Sequence, residues 1–347
     1  WEIYPNERLV GDPHHRPEAY VFALSDMQLP VAAIDHHGNN VLDALTKVDR
    51  RYFNNFTSTP WEGFTEEWNL TLDFEPPKLF LPGSKAIIVL DGWTNWTSPQ
   101  GIIGAHQAGV QPIGPVLEVL TEEGQWEMAD ANFGMPAGLP RTMVVDVTDS
   151  IYNDLNLSNQ LIRMRIRSNL TIYFDRIRVG VESPGAQAQL NFRESMMLHA
   201  KLQWLGYPLR VMLEDKRPEI YQYKDPAQFS DLAIQHGNFT KYGNVKPLLK
   251  DVDDFFVIMN HGDEVALSFD ADNMPHLAPN DVRTFLFHCD GYEKTMSIHG
   301  SQNNTVAPFP FHSMSGYPYG SGEAYPSDMK HNRYRLEWNT RPPFRRF

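Results

Sequence analysis

The sequence predicts an all-β protein of two packed β-sandwich units, with an irregular arm at each end of the chain. Short segments that alternate polar and apolar residues recur along it, and clusters of Gly, Pro, Asn and Asp separate them. Helical patterns are confined to two short stretches. The chain has 347 residues, of which 41% are hydrophobic, so it can fill two cores of ordinary size.

The first half is predicted to hold an N-terminal arm and the first sandwich. Prolines break residues 1–62 into loops, with one helix at Asn40–Arg51, and we interpret this stretch as an arm or the end of a preceding domain. The first sandwich is expected over 63–183. Its strands are expected at Leu70–Phe74, Ala86–Leu90, Val116–Leu120, Thr142–Val147, Leu161–Arg167 and Thr171–Val179.

The second sandwich is expected over 184–312, after a linker containing Pro184 and Gly185. A short helix is predicted at Val245–Lys250. The strands are expected at His199–Trp204, Leu209–Leu213, Asp254–Met259, Glu264–Asp270 and Arg283–His288. Residues 313–347 are rich in Pro, Gly, Tyr and Ser without periodicity, which predicts an extended C-terminal tail.

Three local patterns predict finer features of the first sandwich. In Leu161–Arg167 three Arg alternate with apolar residues, which indicates a solvated sheet face, with anion binding as the alternative. The inward residues change parity around Asp175, which predicts a β-bulge there. The strand Val116–Leu120, a turn at Gly124 and the stretch Trp126–Met128 predict a hairpin.

Seven Asn-x-Ser/Thr sequons are the densest motif, against roughly two expected by chance from 22 Asn. They predict a secreted or cell-surface glycoprotein, because a glycan must be carried on solvent-exposed surface. The predicted glycosylation sites are Asn55, Asn69, Asn95, Asn156, Asn169, Asn238 and Asn303. Asn69 and Asn169 stand in alternating segments, so we expect both to point into water from strands.

Charge and cysteine content exclude several classes of protein. A net charge of −13 argues against nucleic acid and anionic membrane surfaces as partners. No run of apolar residues is long enough to insert into a bilayer. Cys289 is the single cysteine, so an intrachain disulfide is impossible, and we interpret it as a buried structural thiol. The chain begins at Trp1 without Met, which predicts a processed product or part of a longer protein.

Five residues are candidate ligands for a sugar or a metal ion, and each group also has a purely structural interpretation. Trp93 and Trp96 follow a predicted strand, where they would stack on sugars or else close the sandwich core. Asp270, Asp272 and Asn273 would ligate a structural calcium or else form an ordinary turn. No other cofactor is expected.

Two pairs of adjacent histidines are the remaining candidate ligands. The pairs His14-His15 and His36-His37 could each give a metal two nitrogens, but the sequence identifies no third ligand, so structural or surface roles are favoured. A nucleophile elbow, a P-loop and a dinucleotide-binding glycine motif are all absent from the sequence. We therefore assign no catalytic residue, and whether the chain is an enzyme stays open, with a non-enzyme favoured.

Several longer stretches resemble the C-terminal region of large extracellular FG-GAP/ASPIC repeat proteins, the cartilage-acidic-protein-like group that often carries tetratricopeptide repeats. The stretches are Pro140–Thr148, Arg163–Ile177, Tyr242–Leu249, Asp253–Met259, Gly262–Asp270 and Val306–Tyr319. The resemblance implies a surface or exported setting and no particular mechanism. The calcium-binding Asp repeats and helical repeats of that group are absent. Separately, Tyr173–Val179 is similar to the last strand of galactose-binding-like jelly rolls.

Together these observations predict a glycosylated, non-catalytic structural or adhesive module of an extracellular surface or filament assembly. Its expected partners are other copies or other extracellular proteins. The alternative is a carbohydrate-binding module or a polysaccharide-active enzyme domain, for which the exposure of Trp93 and Trp96 discriminates.

Overall fold

The protein is described by a computed structural model. It describes residues 1–5, 20–77, 81–95, 97–130, 133–152, 161–213, 216–229, 235–272, 274–279, 281–294 and 304–343. The chain divides into two compact units. Unit 1 comprises Trp1–Asn191 with Lys216–Pro218, and unit 2 comprises Phe192–Asp215 with Glu219–Phe347.

Strands dominate the described part of the chain, so the predicted all-β class is confirmed. The strands are β1 (Glu2–Pro5), β2 (Val21–Gln28), β3 (Ala32–Asp35), β4 (Phe64–Phe74), β5 (Lys85–Thr94), β6 (Val116–Leu120), β7 (Trp126–Asp130), β8 (Gly138–Asp146), β9 (Ile162–Leu170), β10 (Ile172–Glu182), β11 (Met197–Trp204), β12 (Tyr207–Leu213), β13 (Lys216–Ala227), β14 (Gly243–Asn244) and β15 (Asp263–Phe269). The helices are α1 (Pro99–Gln107), α2 (Thr148–Tyr152) and α3 (Met329–Trp338). Short 3₁₀ helices occupy Leu42–Leu45, Ala186–Gln189 and Lys246–Leu248.

Unit 1 contains two five-stranded antiparallel sheets. Sheet A has the order β1-β2-β10-β5-β8, and sheet B has the order β3-β4-β9-β6-β7. A single apolar cluster takes residues from both sheets, such as Ile88 and Phe174 from sheet A and Trp68 and Ile166 from sheet B. Each fully buried large apolar side chain contributes about 1.5–3 kcal/mol, so this shared cluster holds the two sheets face to face.

Period-two alternation places β4 in sheet B as the sequence predicts. Trp68, Leu70 and Leu72 are buried, whereas Asn69 and Thr71 between them are partly exposed. A buried indole N–H usually finds an acceptor, and the Nε1 of Trp68 donates to the Leu170 carbonyl at 2.9 Å. The apolar side of β4 therefore forms part of the core.

The predicted β-bulge at Asp175 is confirmed. The pairing of β10 with β5 shifts register between Phe174 and Arg176, which leaves Asp175 as the extra residue. Its buried carboxylate accepts hydrogen bonds at 3.2 Å from the backbone N–H groups of Asp49 and Arg50. Burial raises the pKa of Asp175, although these two hydrogen bonds favour the charged form. The predicted hairpin is also present, because β6 and β7 pair with Leu120 opposite Trp126.

The three arginines of β9 lie on the outer face of sheet B, and carboxylates pair with each of them. Arg163 makes two hydrogen bonds to Asp73, at 2.6 and 2.7 Å. Arg165 and Arg167 share Glu118, at 2.6 and 3.3 Å. These pairs follow from register, since β9 lies between β4 and β6. The face therefore neutralises its own charge, which favours the predicted solvated surface over anion binding.

Unit 2 is built around a smaller antiparallel sheet, with the strand order β14-β11-β15. Its buried apolar cluster contains Ala200, Leu202 and Val245. The strands β12 and β13 form a separate two-stranded sheet.

A buried charge pair joins the C-terminal residues to β15. The Asp263 side chain has no exposed surface, and Arg341 Nη2 lies 2.5 Å from its Oδ2. The Tyr242 hydroxyl donates to the other carboxylate oxygen of Asp263 at 2.7 Å. Arg341 also donates to the Thr240 carbonyl at 2.8 Å. The pair is thus satisfied by hydrogen bonds on both sides, as a buried ion pair requires.

The predicted N-terminal arm over 1–62 is wrong, because this stretch supplies strands to both sheets of unit 1: β1 and β2 to sheet A and β3 to sheet B. The helix predicted at Asn40–Arg51 is reduced to the single 3₁₀ turn at Leu42–Leu45. Asp175 explains the difference, since its carboxylate binds the backbone N–H groups that a helix would use near Arg50.

Two predicted strands and the predicted tail of unit 2 also differ from the structure. Residues 254–259 and 283–288 have no regular secondary structure. Apolar β-formers become a strand only when a neighbouring strand accepts their hydrogen bonds, and β15 pairs with β11 instead. The tail predicted over 313–347 contains α3, which begins after Asp328 because that carboxylate accepts from the N–H groups of Lys330 and His331.

Candidate functional site

A tight turn after β3 holds the pair His36-His37. The Gly38 N–H donates to the Asp35 carbonyl at 3.0 Å, so the two histidines occupy the corner of a β-turn. Gly38 has φ of +82°, a left-handed conformation that glycine adopts without steric cost. Neighbouring residues in a strand point to opposite faces, but residues at a turn corner do not have to. The two rings lie side by side, with centroids 3.9 Å apart.

Both histidines point at the carboxylate of Glu66 on β4. The Nε2 atoms of His36 and His37 each lie 3.3 Å from Glu66 Oε1. The same oxygen accepts the Thr57 N–H at 2.7 Å. Hydrogen bonds from Thr57, with that from His36, lower the pKa of Glu66 to about 2. We call these three side chains the His36–His37–Glu66 cluster. Sequence reasoning missed Glu66, because its approach to the two histidines depends on how β3 and β4 pair.

Asp35 fixes the shape of the turn that carries the cluster. Its buried carboxylate accepts from the backbone N–H groups of His37 and Asn39, at 2.9 and 2.8 Å. The side chains of Asn39 and Asn55 also donate to it. Burial by itself would raise the pKa of Asp35, but these four hydrogen bonds lower it. The carboxylate therefore remains charged and holds the turn.

A second group of titratable side chains lies in unit 2. Asp254 is shared by two histidines, with Oδ1 2.9 Å from His312 Nδ1 and Oδ2 3.2 Å from His331 Nε2. Each ring has a further carboxylate, since Asp290 lies 3.5 Å from His312 and Asp328 lies 2.6 Å from His331. Burial would raise the pKa of Asp254, but hydrogen bonds from His312 and His331 lower it.

This second group connects distant parts of unit 2. The chain separation is 58 residues between Asp254 and His312, and 77 residues between Asp254 and His331. Phe256 stacks on the His312 ring at 5.4 Å, and Phe255 packs on His331. Each of these contacts joins an imidazole nitrogen to a carboxylate oxygen, so the group links the stretch around Asp254 to the start of α3. We interpret it as structural.

The predicted sugar-stacking residues do not form a surface platform. Trp93 is buried and stacks on Tyr173 with 4.6 Å between ring centroids. It therefore closes the sandwich, which was the structural alternative. Trp96 lies outside the described residues.

The predicted calcium ligands form a turn in the part that the structure describes. The Asp272 N–H donates to Asp270 Oδ1 at 2.9 Å, which is the usual arrangement of an Asx turn. Asn273 lies outside the described residues. Calcium binding stays an untested prediction.

Cys289 differs from its prediction, because the thiol is exposed rather than buried. It follows the apolar stretch at 283–288, which has no regular structure. The pair His14-His15 lies outside the described residues.

The predicted glycosylation sites differ in exposure. Asn55 and Asn238 are exposed, and Asn69 and Asn95 are partly exposed. Asn156 and Asn303 lie outside the described residues.

The expectation that Asn169 points into water is wrong. Asn169 is buried; its Oδ1 accepts the Ile113 N–H at 2.7 Å and its Nδ2 donates to the Gln111 carbonyl at 2.8 Å. The stretch after α1 therefore covers this end of β9, and the amide that a glycan would need is engaged. The alternating pattern of β9 could not reveal this cover.

The fold and the clusters define an all-β protein of two units. No family model matches the chain, and no curated protein matches it. The resemblance to the FG-GAP/ASPIC group stays a prediction from the sequence. None of the helices in the described ranges has the length and apolar character that crossing a bilayer requires.

Proposed function

We propose that this protein is a glycosylated, non-catalytic structural or adhesive module of a larger extracellular surface or filament assembly. One observation carries the proposal: among the residues that the structure describes, an apolar segment of unit 2 stands in solvent without a strand partner. We call Val282–Cys289 the 282–289 segment. Other copies of the chain, or other extracellular proteins, are the expected partners.

The 282–289 segment has the composition of a strand but lacks the pairing of one. Val282, Phe285 and Phe287 are 86%, 73% and 67% exposed. Within the described residues, its backbone N–H and C=O groups have no hydrogen-bond partner. Such a segment is costly to leave in water and can add a strand to a neighbouring sheet. Its exposure supports a role in joining molecules.

A second support comes from the position of the segment beside an edge strand. The Phe287 ring lies 6.4 Å from that of Phe269, the last residue of β15. In the sheet of unit 2, β15 is an outer strand. Main-chain hydrogen bonds from a neighbouring molecule would supply affinity, and the phenylalanines would supply apolar contact.

The sequons support the glycosylated and extracellular part of the proposal. Asn238 is exposed, and Asn69 lies on the outer face of sheet B among paired charges. A glycan on Asn69 would keep that face free of partners. Assembly contacts are therefore expected through the 282–289 segment rather than through the outer face of sheet B.

The experiment compares wild-type protein with the double variant Phe285→Ser/Phe287→Ser. Light scattering after size exclusion, over a hundredfold range of concentration, together with electron microscopy, measures assembly. We expect wild-type protein to form larger species and the double variant to remain smaller. Leu336→Ser is the matched control, because Leu336 is also exposed and apolar but lies on α3. Wild-type protein that remains monomeric throughout, or a control with an equal defect, would contradict the proposal.

The alternative, a carbohydrate-binding module or polysaccharide-active domain, has lost one of its two supporting residues. Trp93 is buried against Tyr173 and offers no face to a sugar. Binding of wild-type protein to a glycan array would restore this alternative.

A further inference from the structure

We propose that the His36–His37–Glu66 cluster is a binding site for a divalent first-row transition metal, with Zn²⁺ as the probe that tests it. This inference does not depend on the proposed assembly role. It rests on donor chemistry, on the distances between the donors and on the rigidity of the turn.

The donor set is one that zinc takes in proteins. Two imidazole nitrogens and one carboxylate oxygen ligate Zn²⁺ in a common type of open site, in which water occupies the fourth position. In the part of the chain that the structure describes, this is the one group of three or more His, Cys, Asp or Glu whose ligand atoms all lie within 4.8 Å of one another. Hard cations such as Ca²⁺ prefer all-oxygen ligands, so the two nitrogens favour a transition metal.

The distances fit tetrahedral coordination. Zinc with bonds of about 2.0–2.2 Å to nitrogen and oxygen places neighbouring ligand atoms about 3.4 Å apart at the tetrahedral angle. The two Nε2-to-Oε1 distances in the cluster are both 3.3 Å. An octahedral arrangement with similar bonds would shorten this separation to about 3.0 Å. The carboxylate oxygen and each imidazole nitrogen thus already stand at the spacing of two ligands on one tetrahedral ion.

The cluster is held in place yet open to solvent. Glu66 is fixed by the Thr57 N–H, and the turn is fixed by the Asp35 carboxylate. The exposed fractions of the His36, His37 and Glu66 side chains are 11%, 46% and 35%. An ion can therefore enter from the His37 side without unfolding the turn, and water can complete its coordination.

Charge also favours a cation at this point. Glu66 presents one carboxylate oxygen to both imidazoles, with the Nε2 of each 3.3 Å away. An ion would replace the two imidazole contacts to this oxygen by direct bonds, and its positive charge would offset that of the carboxylate. The buried Nδ1 of His36 has no hydrogen-bond partner in the described structure. Metal-bound histidines usually donate this hydrogen to an acceptor, so we expect affinity below that of sites with such a partner.

Titration calorimetry with ZnCl₂ at pH 7.5 on the purified full chain tests the proposal. We expect one Zn²⁺ per chain. The variants His37→Gln and Glu66→Gln should weaken binding about 100-fold or more, since even outer partners of metal ligands are worth 10–100-fold. Both side chains are partly exposed, so the variants should fold, and circular dichroism checks this.

The matched control is His106→Gln, which removes an exposed histidine from α1. Its affinity for Zn²⁺ should equal that of wild-type protein. X-ray absorption of the bound ion should give two nitrogen ligands with a first shell at about 2.0–2.1 Å. Absence of stoichiometric binding, or unchanged binding in both cluster variants, would overturn the proposal.

Discussion

Replacement of Phe53 by alanine measures how far the N-terminal stretch belongs to the sandwich. Phe53 is 1% exposed and lies between Trp68 and Phe56, with ring centroids 5.5 and 5.8 Å away. Its backbone N–H donates to the Phe174 carbonyl at 2.8 Å, a bond that alanine retains. The substitution therefore removes the ring and leaves the main-chain contact unchanged.

The expected loss follows from that geometry. Removal of a buried phenylalanine ring costs about 3–5 kcal/mol. Two edge-on aromatic contacts are lost with the ring, each worth about 0.5–1.5 kcal/mol, so the upper part of that range is expected. In a unit of this size each kcal/mol lowers the midpoint by about 2–4 °C, which gives a decrease of roughly 8–20 °C.

The assay is urea and thermal unfolding followed by tryptophan fluorescence, because Trp68 contacts the deleted ring. Val48→Ala is the control in the same stretch: Val48 is 59% exposed, so its loss should stay within about 0.5 kcal/mol. If Phe53→Ala also costs less than about 1 kcal/mol, the stretch does not form part of the core and the reasoning fails.

Three further predictions concern single groups. Tyr334→Phe should lower the free energy of unfolding in urea by about 1–2 kcal/mol, because the Phe256 carbonyl loses the hydroxyl that donates to it at 2.5 Å. An unchanged urea midpoint would show that α3 does not pack at this carbonyl. Asp35→Asn should destabilise the chain by about 1–3 kcal/mol at pH 7. The pKa of Asp35 is lowered on folding, so its carboxylate contributes its full stabilisation above the unfolded pKa near 4. That stabilisation is lost as the pH falls through the folded pKa, so the difference in unfolding free energy between Asp35→Asn and wild type should shrink below about pH 4. A difference that stays constant with pH would refute this. Glycopeptide mapping should find Asn169 unoccupied and Asn238 occupied, whereas a glycan on Asn169 would contradict its burial.

Strand alternation and one bulge could be predicted from the sequence because both depend on local period. In β4 every second residue from Trp68 to Phe74 is buried, as the pattern requires. The same reasoning failed for residues 283–288, whose composition is that of a strand. A strand also needs a partner edge, and no local pattern shows whether a partner is present.

The sequence contains a local signal for the start of α3, but the composition of the surrounding residues favoured an extended tail. Asp328 is a favourable N-cap before ten residues without Gly or Pro, but the Pro- and Gly-rich residues upstream dominated the prediction for the tail.

The His36–His37–Glu66 cluster depends on geometry at two levels. The histidine pair was visible in the sequence, but its role depended on a turn that places both rings on one side. Glu66 is separated from His36 by 30 residues and approaches only because β3 pairs with β4. The burial of Asn169 has the same kind of cause, since the stretch that covers it lies more than 50 residues away.

The buried pair of Asp263 and Arg341 sets an order of events on the ribosome. Arg341 is synthesised 78 residues after Asp263, a delay of roughly 4–16 s at about 5–20 residues per second. During that delay Arg341 is missing, so burial of the Asp263 carboxylate would leave a charge without its partner. The strand β15 therefore cannot reach its final packing until Arg341 is present. Nearly all of unit 1 precedes residue 192 and can fold while translation continues. The two units should therefore mature in sequence, with unit 2 completing its packing last.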